Sequence, residues 1–148
     1  MDYAGPLYLK GRNKAWIVLF TCAVYRAIHL EAITSLSTAS FLEAWERFVA
    51  RRGRPSVVFS DNGTQFVGAN NALKANDWNA VVVRTSSRGV KWKFSPPGAP
   101  WWGGFWERMV GMVKQLLRRN LGRATIDYER LCTVLCEVEA TINARLLT

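Results

Sequence analysis

The chain has 148 residues, 49% of them hydrophobic, which is enough to bury the core of one ordinary domain without disulfides or a structural metal. Lys and Arg total 20 against 11 acidic residues, and the resulting charge of +9 indicates a polyanionic partner, with nucleic acid first. No run of roughly 18 apolar residues, no signal peptide and no single basic amphipathic stretch is present, which argues against a membrane protein and predicts a soluble, intracellular one.

The cysteines do not form a recognisable metal or disulfide pattern. There are 3 cysteines, Cys22, Cys132 and Cys136, and only 1 histidine. Cys132 and Cys136 would share a helix face, but two ligands do not make a structural zinc site. The sequence therefore predicts packed, reduced thiols.

The first part of the chain predicts an antiparallel hairpin. Residues 15–24 are almost all apolar, as in a strand buried on both faces. Residues 27–33 alternate apolar and polar side chains, which predicts an edge strand with His29 structural or facing solvent. Asp2 and Tyr3 are interpreted as the remnant of a further strand.

The next segment changes to helical periodicity. Apolar residues repeat at helical spacing from residue 41 to residue 49, with Ser and Thr before them as caps, and Gly53 and Pro55 mark the end of the helix. Residues 56–60 then predict a short buried strand that ends at Asp61, the first residue of a D-N-G turn.

The second half of the chain predicts a weak helix within residues 68–79, a turn at 86–89 and a strand at 90–94. Residues 95–104 hold three prolines and three glycines and predict a loop. Two helices follow, one ending at Gly122 and one with apolar positions from Leu131 to Ile142. This order predicts an α/β sandwich with a mixed sheet.

Three acidic residues stand at element boundaries in this layout. Asp2 lies in the opening strand, Asp61 directly follows a strand, and Glu107 is expected in the first turn of a helix. Each has a structural alternative: a disordered end for Asp2, a turn residue for Asp61, and a favourable helix-dipole position for Glu107.

The surrounding motifs resemble the integrase of long-terminal-repeat retrotransposons, most closely the Pao/BEL class, which is also similar to retroviral integrases. The matching segments span almost the whole chain: 2–7 (DYAGPL), 20–22 (FTC), 26–31 (RAIHLE), 51–55 (RRGRP), 60–64 (SDNGT) with Phe66 and Gly68, Pro96 and Pro97 with Pro100, Gly103 and Gly104, 106–108 (WER), and Cys136 and Glu137 with Asn143 and Arg145. Two features depart from the family pattern. The stretch between Asp61 and Glu107 is longer than in retroviral integrases, and Leu146 follows Arg145 where the family tends to have proline.

The resemblance implies an RNase H-like fold, with a mixed five-stranded sheet flanked by helices, and a single integrase core over residues 1–148 whose first strand is truncated at the N-terminus. It further implies that Asp2, Asp61 and Glu107 form an acidic triad. Two ionised carboxylates about 4 Å apart repel by roughly 4 kcal/mol at an effective dielectric constant of 20, so such a cluster needs cations. Two Mg²⁺ or Mn²⁺ ions are expected, with Asp2 bridging them and Asp61 and Glu107 each holding one.

The implied activity is metal-dependent trimming of element DNA 3′ ends and their transfer to target DNA. The expected partners are element-end and target DNA and, in the full-length protein, further copies of the chain. The expected location is the nucleus or a retrotransposon particle. Two alternatives stay open: a catalytically silent integrase-derived domain that binds DNA or acts as a scaffold, and an RNase H-type nuclease.

Candidate DNA-binding residues lie near Glu107. Lys114 and Arg118 fall on the Glu107 face of the predicted helix, where Gly111 leaves room, and they are expected to meet DNA unless they are ordinary solvated cations. Trp101 and Trp102 could stack on an unpaired base, or they could belong to the core.

Overall fold

The computed structural model describes residues 1–22, 27–61, 75–95, 100–121 and 126–147. Five strands and four helices of the described part follow one another with a short 3-10 turn: β1 (Asp2–Tyr8), the 3-10 turn (Lys10–Arg12), β2 (Lys14–Thr21), β3 (Ile28–Ile33), α1 (Thr38–Arg52), β4 (Val57–Asp61), α2 (Ala75–Ser86), β5 (Lys91–Ser95), α3 (Pro100–Leu121) and α4 (Tyr128–Leu147). None of these helices is long and apolar enough to cross a membrane.

The first three strands form an antiparallel sheet with β2 in the middle, which confirms the predicted hairpin. β1 is longer than the remnant expected from Asp2 and Tyr3. Its register against β2 shifts between Ala4 and Leu7. Pro6 lies in this shift, and because proline has no N–H to donate to a neighbouring strand, a bulge is the favoured way to accommodate it.

The last two strands, β4 and β5, pair in parallel, with Asp61 opposite Ser95 at their carboxyl ends. The expected single five-stranded sheet is therefore not seen in the described residues, which form one three-stranded and one two-stranded sheet. The reason is the small overlap between β1 and β4. The nitrogen of Met1 donates to the carbonyl of Phe59 at 3.0 Å, but one hydrogen bond does not make a ladder.

Helices cover both faces of the antiparallel sheet, which confirms a layered α/β architecture. Ile17 and Leu19 of β2 belong to a core cluster with α3 and α4, whereas Val18 and Phe20 belong to a second cluster with α1, β4 and α2. This division follows from the strand period, because successive side chains of a strand point to opposite faces.

Two boundaries differ from the sequence expectation. The loop predicted over 95–104 is wrong from Pro100 onward, since α3 begins there; Ser95 ends β5, and residues 96–99 lie outside the described part. Proline suits a first helical turn because its missing N–H would have no partner within the helix. α2 continues to Ser86, beyond the weak helix expected within 68–79, of which residues 68–74 lie outside the described part.

The ends of α1 agree with the predicted signals. Ser37 caps its first turn through a hydrogen bond from the Ser40 N–H, and the Gly53 N–H closes its last turn on the Val49 carbonyl. Gly53 has a φ of 87°, a left-handed conformation that glycine adopts at little cost.

Candidate active site and nucleic-acid interface

Two of the three candidate acids lie on neighbouring stretches of backbone. Asp2 is the first residue of β1, and Asp61 is the last residue of β4. The hydrogen bond from Met1 to the Phe59 carbonyl sets the residue before Asp2 beside the residue two positions before Asp61. The fold thus brings the start of β1 to the end of β4, while the two carboxyl groups themselves lie outside the described part.

Glu107 lies well inside α3, and its expected place in the first helical turn is wrong. The helix begins at Pro100, and its first turn holds no acidic residue. Helix-dipole stabilisation falls off within the first turn, so it does not account for an acid at Glu107. Trp101 and Trp102 are helical as well, not in a loop, and the side chains of all three residues lie outside the described part.

The outer face of α3 carries the candidate DNA-binding cations. Gly111, Lys114 and Arg118 are exposed, whereas Val113, Leu116 and Leu117 on the other side are buried in the core. A side chain built at Gly111 would meet nothing within 4 Å, so this face is open beside Lys114. Arg118 also lies in the last turn, where a cation is favoured by the helix dipole alone.

No group of three or more His, Cys, Asp or Glu side chains that could hold a metal ion occurs in the described part, from which the carboxyl groups of Asp2, Asp61 and Glu107 are missing. The three cysteines form no disulfide. Cys22 and Cys136 are exposed and Cys132 is half-buried, so the expectation of packed thiols is wrong for Cys22 and Cys136.

A buried polar cluster that the sequence did not predict lies on β3. His29 and Glu31 are 3% and 6% exposed, because helices cover both faces of this strand; of the two alternatives for His29, the structural one is confirmed and the solvent-facing one is wrong. His29 Nε2 donates to Glu31 at 2.8 Å, and Arg47 Nε donates to the other carboxylate oxygen of Glu31 at 2.8 Å. Arg52 contacts both His29 Nδ1 and Glu139 of α4. These five residues are called the His29 cluster below.

The same region closes the outer edge of β3. Asn143 accepts from the Ile28 N–H at 2.7 Å and donates to the Ile28 carbonyl at 3.0 Å. Glu139 accepts from the Leu30 N–H, and Arg47 donates to the Ala32 carbonyl. Four outward-facing backbone groups of the strand are therefore paired by side chains of α1 and α4, which covers much of the sheet edge.

Electrostatics tie the members of the His29 cluster together. Burial by itself lowers the pKa of His29, but hydrogen bonds to Glu139 and Glu31 and the charges of both carboxylates outweigh it and raise that pKa above its ordinary value. Burial by itself would raise the pKa of Glu31 and of Glu139. Their hydrogen bonds outweigh burial and lower both pKa values, and the hydrogen bond to His29 has the largest lowering effect in each case. All three shifts favour the charged forms.

The His29 cluster holds the fold together and has little capacity for chemistry. Its polar groups face one another, and they pair within the cluster or with the backbone of β3. A spacing signal for it exists in the sequence. On each helix, one member of the cluster lies four residues from a neighbour that also contacts β3: Arg47 from Arg51, which approaches Glu31, and Glu139 from Asn143, which bonds Ile28.

No protein-family model matches the chain, and no curated protein does. Among solved structures, a simian T-cell lymphotropic virus intasome in complex with PP2A regulatory subunit B56 gamma matches with a TM-score of 0.66 and 17% identity over 95% of this chain. The chain spans 46% of the length of that protein.

The HTLV-2 integrase catalytic core domain in complex with magnesium also matches. Its dimeric form gives a TM-score of 0.62 at 15% identity over 95% of this chain and 80% of that one. Its trimeric form gives 0.59 at 16% identity over 90% and 77%. At such identities the likeness shows the fold, a mixed α/β arrangement shared with retroviral integrase cores.

Proposed function

We propose that the chain is the catalytic core of an integrase from a long-terminal-repeat retrotransposon, of the Pao/BEL class, which trims element DNA 3′ ends and joins them to target DNA. The observation that carries the proposal is the hydrogen bond from Met1 to the Phe59 carbonyl, because it brings the strand that begins with Asp2 beside the strand that ends with Asp61. The shared fold with retroviral integrase cores and the SDNGT and WER motifs support it.

The pairing of β1 with β4 has a specific consequence for the acids. In a parallel pair, the N–H of one residue bonds to the carbonyl of the residue before its partner. A bond from Met1 to Phe59 then makes Ser60 the partner of Met1 and Asp61 the partner of Asp2. We propose this parallel register, which joins the two sheets into the five-stranded sheet of an RNase H-like fold.

The donor set fits a hard divalent cation. Asp2, Asp61 and Glu107 offer only carboxylate oxygens, the ligands that Mg²⁺ and Mn²⁺ prefer, and two HTLV-2 integrase core structures of the same fold were determined with magnesium. In the proposed site these three residues hold two ions. A bound pair of such ions supplies stabilisation of the attacking and leaving oxygens in an in-line phosphoryl displacement.

The residues of the chain supply the binding and orientation that this chemistry needs. Lys114 and Arg118 extend from the exposed face of α3 that includes Gly111, and in the proposal they hold DNA phosphates on the side of Glu107. Trp101 and Trp102 are proposed to stack on an unpaired base near the cut. Several copies of the full-length protein are proposed to act together on element and target DNA in the nucleus or the retrotransposon particle.

The test is metal-dependent end trimming and strand transfer by the full-length protein, compared with its Asp61→Asn variant. Loss of a metal-holding carboxylate should lower both rates by orders of magnitude while DNA binding persists. Glu137→Gln is the matched control, because Glu137 is an exposed acid on α4 and its change should leave both rates unaltered. An active Asp61→Asn variant would refute the triad.

The same assay separates the two alternatives. A silent DNA-binding or scaffold domain gives no metal-dependent nicking in the unsubstituted protein. An RNase H-type nuclease cleaves the RNA strand of a hybrid duplex but joins no DNA 3′ end to a target.

A further inference from the structure

The turn between β1 and β2 presents a compact basic surface. Lys10, Arg12 and Lys14 are all exposed there, and Tyr8 beside them is 62% exposed. The Lys14 ammonium lies 5.8 Å from the centre of the Tyr8 ring, within the range of a cation–π contact. Residues 10–14 are called the basic turn below.

The basic turn is held in one conformation. The Leu9 N–H donates to the Asn13 carbonyl at 2.7 Å, and the Lys10 N–H donates to the Ile126 carbonyl at 3.0 Å, which ties the turn to the segment before α4. Arg12 has a φ of 63°, the only positive value among the described residues other than glycine. A left-handed conformation is uncommon for arginine, and strained backbone of this kind persists where the surrounding structure fixes it.

The cations of the basic turn are not neutralised by acidic side chains of the described part, although Lys14 also contacts the Tyr8 ring. Among the side chains that the structure describes, no ion pair involves Lys10, Arg12 or Lys14. The three charges therefore remain available to an anionic partner.

Chain geometry relates the basic turn to α3. From Glu107 to the end of α3 at Leu121, the helix rises roughly 21 Å, and from Asp2 to Leu9, β1 spans roughly 23 Å. The far ends of the two elements pack on one hydrophobic cluster, which includes Leu9 of the bridge to Ile126 and Leu121 of α3. Lys114 and Arg118 lie on α3 between Glu107 and Leu121.

We propose that the basic turn binds phosphates of the duplex whose end lies at the acidic site, extending the DNA-binding face of Lys114 and Arg118. This inference rests on the proposed function. With roughly 3.4 Å of duplex per base pair, a span of about 23 Å sets the contact on the order of seven base pairs from the reacting end. The interaction is with the sugar–phosphate backbone, so it orients the DNA without reading its sequence.

The experiment compares the salt dependence of DNA binding between two triple variants, measured by fluorescence anisotropy on a 25-base-pair duplex in the absence of divalent metal. The first combines Lys10→Gln, Arg12→Gly and Lys14→Gln; glycine suits the left-handed φ of Arg12, so the fold should be retained. The matched control combines Arg84→Gln, Arg88→Gln and Lys91→Gln, which removes the same charge from exposed positions at the end of α2, in the turn that follows it and at the first residue of β5.

The basic-turn variant should lower the slope of log affinity against log salt by about two to three, and the control should lower it by less than one. Neutral methylphosphonates in the duplex, at the sixth to eighth phosphate linkages from its end, should weaken binding by the unsubstituted chain. They should have no further effect on binding by the basic-turn variant. Equal slopes for the two triple variants would overturn the proposal. So would methylphosphonates that weaken binding by the basic-turn variant as much as they weaken binding by the unsubstituted chain.

Two further measurements keep the outcomes distinct. Arg12→Gly alone should lower the slope by about one with an unchanged melting temperature, and an unchanged slope for this variant would count against the proposal. If Lys114→Ala lowers the slope but the basic-turn variant does not, the basic turn is excluded while the DNA-binding face of α3 stands. If the unsubstituted chain does not bind duplex DNA, the proposed function fails together with this inference.

Discussion

Replacing Asn143 with alanine tests how the edge of the sheet is closed. Its side chain makes two hydrogen bonds to one residue of β3, accepting from the Ile28 N–H at 2.7 Å and donating to the Ile28 carbonyl at 3.0 Å. Ile28 is 1% exposed, so water has poor access to these backbone groups once the amide is gone. Asn143→Ala therefore leaves one donor and one acceptor without partners.

The expected loss of stability follows from these two groups. An unsatisfied buried donor or acceptor costs about 1–3 kcal/mol, so the free energy of unfolding should fall by about 2–4 kcal/mol if water replaces part of the lost bonding. Asn143→Asp keeps an acceptor for the Ile28 N–H but sets a carboxylate oxygen against the Ile28 carbonyl, so its loss should be no smaller than that of Asn143→Ala.

Urea denaturation gives the free energies, and hydrogen exchange of the Ile28 amide gives the local effect. Asn120→Ala is the matched control, because Asn120 is exposed and its amide bonds only to the Leu116 carbonyl within α3; it should change stability by less than about 0.5 kcal/mol. If Asn143→Ala costs no more than the control, or if exchange of the Ile28 amide is not faster, the closure of this edge by α4 is refuted.

Three further predictions address charge. Glu107→Gln should abolish trimming and strand transfer with no measurable loss of stability. The control Glu129→Gln, in the first turn of α4, should lower the free energy of unfolding by about 0.3–1 kcal/mol in urea denaturation and leave activity intact. Retained activity in Glu107→Gln would exclude Glu107 as a metal ligand. Because the folded-state pKa of His29 is raised, the contribution of His29 to the stability of the fold is complete below its ordinary pKa of 6.5 and is lost as the pH rises through the folded-state pKa. The urea midpoint of the unsubstituted chain should therefore fall over this pH range, and that of His29→Gln should not. Identical pH profiles for the two proteins would contradict the raised pKa. Lys114→Ala should lower the slope of log affinity against log salt by about one for DNA of any sequence. An unchanged slope would show that Lys114 is an ordinary solvated cation that does not contact DNA.

Periodicity in the sequence was sufficient for most of the fold. The apolar run of residues 15–24 predicted the central strand, helical spacing with Ser and Gly signals predicted α1, and the stripe ending before Gly122 predicted the end of α3. These features depend on local conformational preferences and on which face of a strand or helix is apolar. Both can be read from the sequence without knowing which other element packs against that face.

The sequence also singled out the three acids, and the backbone brings two of them to neighbouring strands. Their roles remain predictions, since pairing of Asp2 with Asp61 depends on the relation between β1 and β4, two strands far apart in the chain. α3 begins earlier than the loop predicted over residues 95–104 allows, because a proline such as Pro100 is well tolerated in a first helical turn.

Only the tertiary structure decided the character of β3 and of the basic turn. Alternation of polar and apolar residues in 27–33 normally indicates a strand with one solvent-exposed face. Here α1 and α4 bring Arg47, Arg52 and Glu139 to that face, where they form a buried charged cluster with the polar residues of β3. The basic turn likewise gains its place beside the segment that precedes α4 through the bridge from Leu9 to Ile126. Local patterns fix which residues form an element and which of its faces is polar, whereas burial of a charge and convergence of distant cations depend on contacts between elements far apart in sequence.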